Sequence, residues 1–390
     1  MDLGPQLRRI PAADLVSIES DPGLVGRIRA EIERDGPMTF ARFMELALYD
    51  SDGGYYRSGT ARAGRTGDFL TAPEAHQIFG RALARHLADV WRALDEPDAF
   101  TVREYGAGGG ALAEGVLAGL GSEEPRLAAA LRYRPVEVEP RRIEELRGRL
   151  SAAGQADRLE ADNGRSIVGA VIANEVLDAL PTHRVTLRGG RLREVYVGLA
   201  GGGFADEEGE LSSPALADRL DAEGVTLAEG QSAEICLAID DWVAAAAGGL
   251  DRGALLLIDY GYPATALYDP VRRRAGTLLA YLRHQAHDDP YLAIGRQDLT
   301  AHVDVTAVER AATRAGLVHL GTTTQGSFLA ALGAGELLVE LQAGPAGGLG
   351  AYLEARSALV RMIDPAAMGG FRVMVFGRGL PRGVSLRGVT

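Results

Sequence analysis

The sequence predicts an α/β fold built on a doubly wound sheet, and three observations carry that prediction. A strand-like run, Phe100-Thr101-Val102, leads into the glycine-rich stretch Gly106-Ala107-Gly108-Gly109-Gly110, and helical spacing resumes from Ala111 to Leu117. That order puts backbone N–H groups at a helix start, where glycines let a ligand approach closely. Further along, strand-like and helix-like segments alternate as βαβ units do. Finally, 390 residues suffice for one large α/β domain with insertions, or for two ordinary domains.

The elements follow in chain order. Residues 24–34 alternate Leu24, Ile28 and Ile32 with Arg27, Glu31 and Arg34, which reads as a short amphipathic helix. Gly36-Pro37 stops it, and Thr39 is placed to cap a second helix through Ala47. Pro73 suits the first turn of a helix expected to run from Glu74 to Leu94. Beyond the glycine loop come a strand from Tyr133 to Val138, a helix from Arg141 to Leu150, a strand from Asp157 to Ala161 and a buried strand from Gly169 to Asn174. Two runs flanking Gly189-Gly190 signal a hairpin. The small, acidic stretch 201–224 reads as a partly flexible excursion. A helix from Asp240 to Ala247 precedes a strand from Ala254 to Ile258. Residues 262–304 are poor in regular signals, as lids and walls are. Helices over 305–315, 328–341 and 350–361 and strands over 318–321 and 371–376 close the chain.

Composition narrows the function. The net charge is −12 without a basic block, which argues against a nucleic-acid partner. Every basic residue other than histidine is arginine. Cys236, the single cysteine, sits in an apolar run and reads as a core residue. No window has the length of apolar sequence needed to span a bilayer, and Met1-Asp2-Leu3-Gly4-Pro5 lacks a secretory start. A cytoplasmic protein without a membrane partner is the expectation. His284, His287, Asp288 and Asp289 have neither H-E-x-x-H nor cysteine-rich zinc spacing, so no metal is expected.

The loop itself admits two cofactor readings. As G-x-G-x-x-G/A, Gly106, Gly108 and Ala111 suit a dinucleotide. As E-x-G-x-G-x-G, Glu104 joins Gly106, Gly108 and Gly110 in the pattern of class I S-adenosylmethionine methyltransferases. Glu104 tips the choice, because a carboxylate there suits a cationic methionine group better than a pyrophosphate.

Several separated stretches then resemble one family, the MidA-like S-adenosylmethionine-dependent methyltransferases, over nearly the whole chain. They include Gly36-Pro37-Met38-Thr39-Phe40, Gly54-Tyr55-Tyr56, Gly67-Asp68-Phe69, Thr71-Ala72-Pro73-Glu74 and Phe79-Gly80. The run from Asn174 to Pro181, Asp259-Tyr260-Gly261, Gly276-Thr277-Leu278, the run from Asp298 to Asp304 and Met368-Gly369 continue the match. One departure is Glu137-Val138-Glu139-Pro140, where the family has Glu-x-Ser-Pro.

The resemblance implies a class I, Rossmann-like, seven-stranded core. It also implies S-adenosyl-L-methionine as cofactor and methylation of a protein arginine, as mitochondrial members do in respiratory complex I assembly. Residues 1–72 are expected to form an N-terminal helical arm and a cofactor-covering loop. Residues 73–390 are expected to form the core, with substrate-side insertions at 184–230 and 262–304. Two other functions compete: a small-molecule O- or N-methyltransferase, and a non-catalytic S-adenosylmethionine-binding assembly factor. A homodimer is left open.

The site residues follow from strand ends and from the resemblance. Glu137 ends the second strand, where a carboxylate accepts from ribose hydroxyls, and Glu139 rivals it because strand period puts both on one face. Asp162 is placed for the adenine amino group, with a plain turn as the alternative. Asn174 and Glu175 follow the fourth strand, where the donor methyl meets the acceptor. Glu175 and Asp178 supply two carboxylates for a guanidinium. The resemblance puts Gly67, Asp68 and Thr71 over the cofactor's methionine end, and His302 is placed to orient or deprotonate a substrate.

Overall fold

Asp21 and Thr39 start the two N-terminal helices. The Asp21 side chain accepts from Leu24 N at the head of α1 (Pro22–Asp35), and Gly36, at φ 87°, ends it. Thr39 does the same for Arg42 N at the head of α2 (Phe40–Tyr49), which buries Phe40, Phe43, Met44, Ala47 and Leu48 on one face. The computed structural model describes residues 8–9, 18–59, 70–283, 285–343 and 348–389.

The glycine loop joins the strand β1 (Phe100–Tyr105) to a helix. Helix α3 (Ile78–Ala93) comes before that strand and α4 (Ala111–Glu123) after the loop. The two helices pack so closely that a Cβ on Gly80 would lie 2.8 Å from the Gly115 backbone. The expected single helix over 74–94 is two: Ala72–Ala75 ends at His76, whose extended backbone breaks the ladder and whose Nδ1 accepts from Ile78 N.

Strands β2 (Leu131–Val136), β3 (Ile167–Asn174), β4 (Leu250–Asp259), β5 (Val318–Thr324) and β6 (Arg372–Arg378) complete the main sheet, in the order β5-β6-β4-β3-β1-β2. β2, β1, β3 and β4 run parallel, and β6 is antiparallel to both β4 and β5. Both faces are covered, as parallel sheets require. Ala170 and Ile172 pack toward α3 and α4, while Val171 and Ala173 pack with Ile239, Val243 and Val308. Among the described residues this sheet has six strands where seven were expected. The stretch 157–161 forms a 3-10 turn, Ala156–Arg158, and one bridge from Leu159 to Tyr133, while Glu160 is taken by Arg132 and Arg134.

The remaining segments build a second layer above the carboxyl ends of these strands. Strands His183–Arg188 and Arg191–Ala200 form the hairpin, joined by Met38–Thr39, Ser232–Ile235 and Gly203–Gly209. The stretch 201–224 is therefore a paired strand and the helix Ala215–Ala222, not a loose excursion. Likewise 262–304 contains Leu279–Leu282, flanked by Gln285–His287 and Asp298–Thr300. Such short strands leave too little alternation to read from sequence. The helix expected over 328–341 is also divided, into Gln325–Ala331 and Ala334–Ala343, at Gly333 with φ 73°. Leu24, Phe43 and Leu48 from the N-terminal helices share one core with Val197, Ala280 and Leu299 from the inserted segments.

Candidate active site

A cavity of about 400 Å³ opens where β1, β2 and β3 end beneath that second layer. This is where ligands bind in open α/β sheets. Gly106, Gly108 and Gly110 have φ of 67°, 51° and 83°, a left-handed backbone that side chains rarely adopt. A Cβ on Gly106 would lie 2.7 Å from Val176, and one on Gly110 would lie 2.6 Å from Leu146. One on Gly108 would meet nothing within 4 Å, so this glycine faces open space.

Two carboxylates flank the loop. Glu137 accepts from Gly108 N at 2.9 Å and from Val138 N at 2.7 Å, and it lines the cavity. Its rival Glu139 caps the helix Pro140–Ala152 and pairs with Arg141, away from the cavity. Glu104 is buried at the cavity wall and accepts from the Tyr133 hydroxyl at 2.6 Å. Burial pushes its carboxyl up to about 8, with the Tyr133 hydrogen bond working against the shift and the Glu137 charge adding to it.

The third edge of the cavity is the turn after β3. Asn174 Nδ2 donates to Glu175 Oε1 at 3.1 Å, and Glu175 has φ 54°. Withdrawal from water lifts the Glu175 carboxyl to about 8, reinforced by the nearby Asp178 charge. Burial also raises Asp178, and the Tyr260 hydroxyl, which donates to Asp178 Oδ2, opposes that rise. Among the described residues, Asn174 Oδ1 and Asp178 Oδ1 are buried without a hydrogen-bond partner. Such atoms at a cavity wall suit polar ligand groups.

The other expected site residues are placed as follows. Thr71 lines the cavity, and its side chain makes no capping bond to the helix Ala72–Ala75. Gly67, Asp68 and His284 lie outside the described residues. Asp162 is elsewhere: Arg103, buried in the sheet, takes its carboxylate at 2.8 Å. It borders a neighbouring cavity behind β2, which Glu137 shares. His302 is also displaced. It lies half-buried at a small neighbouring cavity beyond Asp178, edge-on to Tyr260 and stacked on Tyr262. Burial lowers it to about 4, with Arg273 adding to the effect, so it stays neutral and is a poor proton acceptor near neutral pH. Asp304 accepts from Ala307 N as an N-cap. No cluster of metal-ligating side chains occurs among the described residues.

The far wall is made of residues that carried no assigned role in the sequence. Tyr49 and Tyr56 stack at 5.5 Å, Tyr56 donates to Asp298 Oδ1 at 2.8 Å, and Tyr49 donates to Ala179 O at 3.0 Å. Tyr281 stands opposite Asp298 across a strand pair, and Tyr260 and Trp242 close the rim. Asp259 is fully buried beneath the turn. Tyr56, Tyr260 and Asp298 do fall in the stretches that carry the family resemblance, but no local pattern shows that they converge.

A cavity at the strand ends, a left-handed glycine loop with a carboxylate on either side, and buried unpartnered oxygens beyond it define a nucleotide-type cofactor site in a class I fold. These features fit a cofactor such as S-adenosylmethionine, with Glu104, the glycine loop and Glu137 all lining the cavity. Residues 82–323 match the model of the S-adenosyl-L-methionine-dependent methyltransferase family, and the chain belongs to that family. A crystal structure from Burkholderia thailandensis with S-adenosyl-homocysteine bound is 34% identical, has a TM-score of 0.83 and is matched over 93% of each chain. Similar curated proteins include the protein arginine methyltransferase NDUFAF7 homolog, mitochondrial, of Drosophila melanogaster, 29% identical over 82% of this chain and 77% of its own. The Homo sapiens protein of that name is 27% identical over 78% of this chain and 71% of its own. The chain is thus an S-adenosylmethionine-dependent methyltransferase of MidA-like type, and the dinucleotide reading of the loop is set aside. The cytoplasmic expectation is corrected by the same relatives, which are named as mitochondrial proteins. Lack of a secretory start tests for export alone and says nothing of other compartments.

Proposed function

We propose that the chain methylates the guanidinium of a protein arginine. The observation that carries this reading is charge: among the described residues, Glu74, Glu104, Glu137, Glu175, Asp178 and Asp298 line the cavity, against the single basic residue Arg142. Arg142 in turn donates to Glu145. The names of the curated relatives support the same acceptor. Bound S-adenosylmethionine supplies the methyl group as a sulfonium electrophile, so the protein's work is alignment and exclusion of water.

In this reading Glu104, Gly106, Gly108, Gly110, Glu137, Asn174 and Thr71 hold the cofactor. Asp162 acts through Arg103 rather than on adenine. Glu175 and Asp178 receive the acceptor. A guanidinium against Glu175 restores its ionised form, because an opposite charge lowers a carboxyl that burial has raised. The carboxylate then holds N–H groups and accepts the proton that the nitrogen loses as its bond to the methyl carbon forms. The described residues of the N-terminal arm and of the insertions 184–230 and 262–304 form the acceptor-side wall.

The test is tritiated-methyl transfer from S-adenosylmethionine into proteins and into small-molecule extracts of the host. Label released as methylarginine on hydrolysis is the expected result. Label confined to small molecules would overturn it.

A further inference from the structure

The wall facing Glu175 and Asp178 is chemically built. Asp298 is 4% exposed and presents its carboxylate between Tyr56, its hydrogen-bond donor, and Tyr281, its partner across the strand pair. Three segments distant in sequence are tied together here. Ala301 N donates to Asp178 O at 3.0 Å, and Tyr49 reaches Ala179 O. The Tyr49, Tyr56 and Tyr281 hydroxyls are all raised, first by burial and then by the charges of Asp298 and Asp178 together. Both carboxylates therefore act on one small volume. A second, independent sign is Asp178 Oδ1, on a side chain 94% buried by its 6% exposure, which lines the cavity and has no hydrogen-bond partner among the described residues.

We infer that Asp298 and Asp178, with the rings of Tyr49, Tyr56 and Tyr281, form a subsite for a planar cation that selects a guanidinium over an ammonium. The chemistry follows from shape. A guanidinium spreads five N–H donors over a flat fork that can engage two carboxylates at once, and its faces stack on aromatic rings. An ammonium is a compact, strongly hydrated point charge that satisfies one carboxylate and gives up more hydration on entering. This subsite rests on the arginine reading above and adds to it the residues that choose the acceptor.

The experiment uses the full chain loaded with S-adenosyl-homocysteine and titrates n-butylguanidinium and n-butylammonium, followed by saturation-transfer NMR. Butylguanidinium should bind at least about ten-fold more tightly. Asp298→Asn should weaken butylguanidinium about ten-fold and leave S-adenosyl-homocysteine affinity unchanged. Tyr56→Phe removes the hydrogen bond to Asp298 but keeps the charge, so it should weaken binding less than about three-fold. Equal losses in Asp298→Asn and Tyr56→Phe would mean that the bond only props the wall, and would overturn the proposal. Equal binding of the two cations would overturn it too. Binding lost in Glu175→Gln but retained in Asp298→Asn overturns this subsite and leaves the arginine reading intact. Absence of saturable butylguanidinium binding to the wild type overturns both.

Discussion

The Asp259 carboxylate and the Leu177 amide meet at 2.9 Å, and the same oxygen also accepts from Val176 N and Asp178 N. The other oxygen accepts from Tyr260 N. One fully buried side chain on β4 thus gathers three successive N–H groups of the neighbouring turn, the turn that carries Glu175 and Asp178 into the cavity. Burial, with the Asp178 and Glu175 charges, raises this carboxyl, and the hydrogen bonds from the turn oppose that rise; losing a buried acceptor costs about 1–3 kcal/mol.

Asp259→Asn should therefore loosen the acceptor side and spare the cofactor side. The amide offers one acceptor where two stood, and its NH₂ faces backbone donors. A loss of about 2 kcal/mol corresponds to a melting temperature lower by roughly 2–3 °C in a chain of this length. Affinity for S-adenosyl-homocysteine, measured by titration calorimetry, should change less than about three-fold, because the glycine loop hangs from β1. A large loss of cofactor affinity with an unchanged melting temperature would contradict this account of Asp259.

Glu137 and Glu139 offer a paired test. Glu137→Ala removes a cavity carboxylate that the loop itself positions through Gly108 N. S-adenosyl-homocysteine should bind at least about ten-fold more weakly. Glu139→Ala removes an N-cap and should lower stability by about 1 kcal/mol with cofactor affinity nearly unchanged. The opposite pattern would exchange their roles.

These two residues show how far the sequence could be read. Strand period allows either carboxylate to face a ligand, but Pro140 at the start of a helix marks Glu139 as its cap. The glycine loop, the alternation of strands and helices and the Gly189-Gly190 hairpin were legible because each rests on local spacing. The surroundings of His302 and Asp162 were not legible because their partners are remote: Tyr260 and Tyr262 enclose one, and Arg103 holds the other. Asp298 and Asp259 fall in stretches that carry the family resemblance, but no local spacing gives their roles. Their hydrogen-bond partners are 242 residues away for Tyr56 and 82 for Leu177.

The cofactor-free protein should be more stable at pH 6 than at pH 8.5. Glu104 and Glu175 both have carboxyls raised from 4.5 to about 8. Between those values the folded state binds more protons than the unfolded one, so stability falls as pH rises through the interval. Glu104→Gln and Glu175→Gln each remove one such group and should flatten the slope of melting temperature against pH. S-adenosyl-homocysteine should flatten it too if its ammonium pairs with Glu104, with affinity increasing toward pH 8. A slope unchanged in both variants would place the titration on other groups.

Glu175 finally separates catalytic need from structural need within one residue. Its φ of 54° is a conformation that glycine adopts freely, and its carboxyl is held above its ordinary range beside Asp178. Left-handed backbone costs a residue other than glycine about 1 kcal/mol, and such strain persists where function requires the side chain. Glu175→Gly should therefore raise the melting temperature, or leave it unchanged despite the added chain entropy of glycine, while methyl transfer falls by orders of magnitude. Glu175→Gln keeps the backbone strain and the side-chain size, so it should lose transfer without the gain in stability. Binding of S-adenosyl-homocysteine should survive in both, since the glycine loop and Glu137 stand on other strands. If Glu175→Gly unfolds the protein, the side chain is a structural support for the turn. If it retains transfer into arginine, another group receives the acceptor.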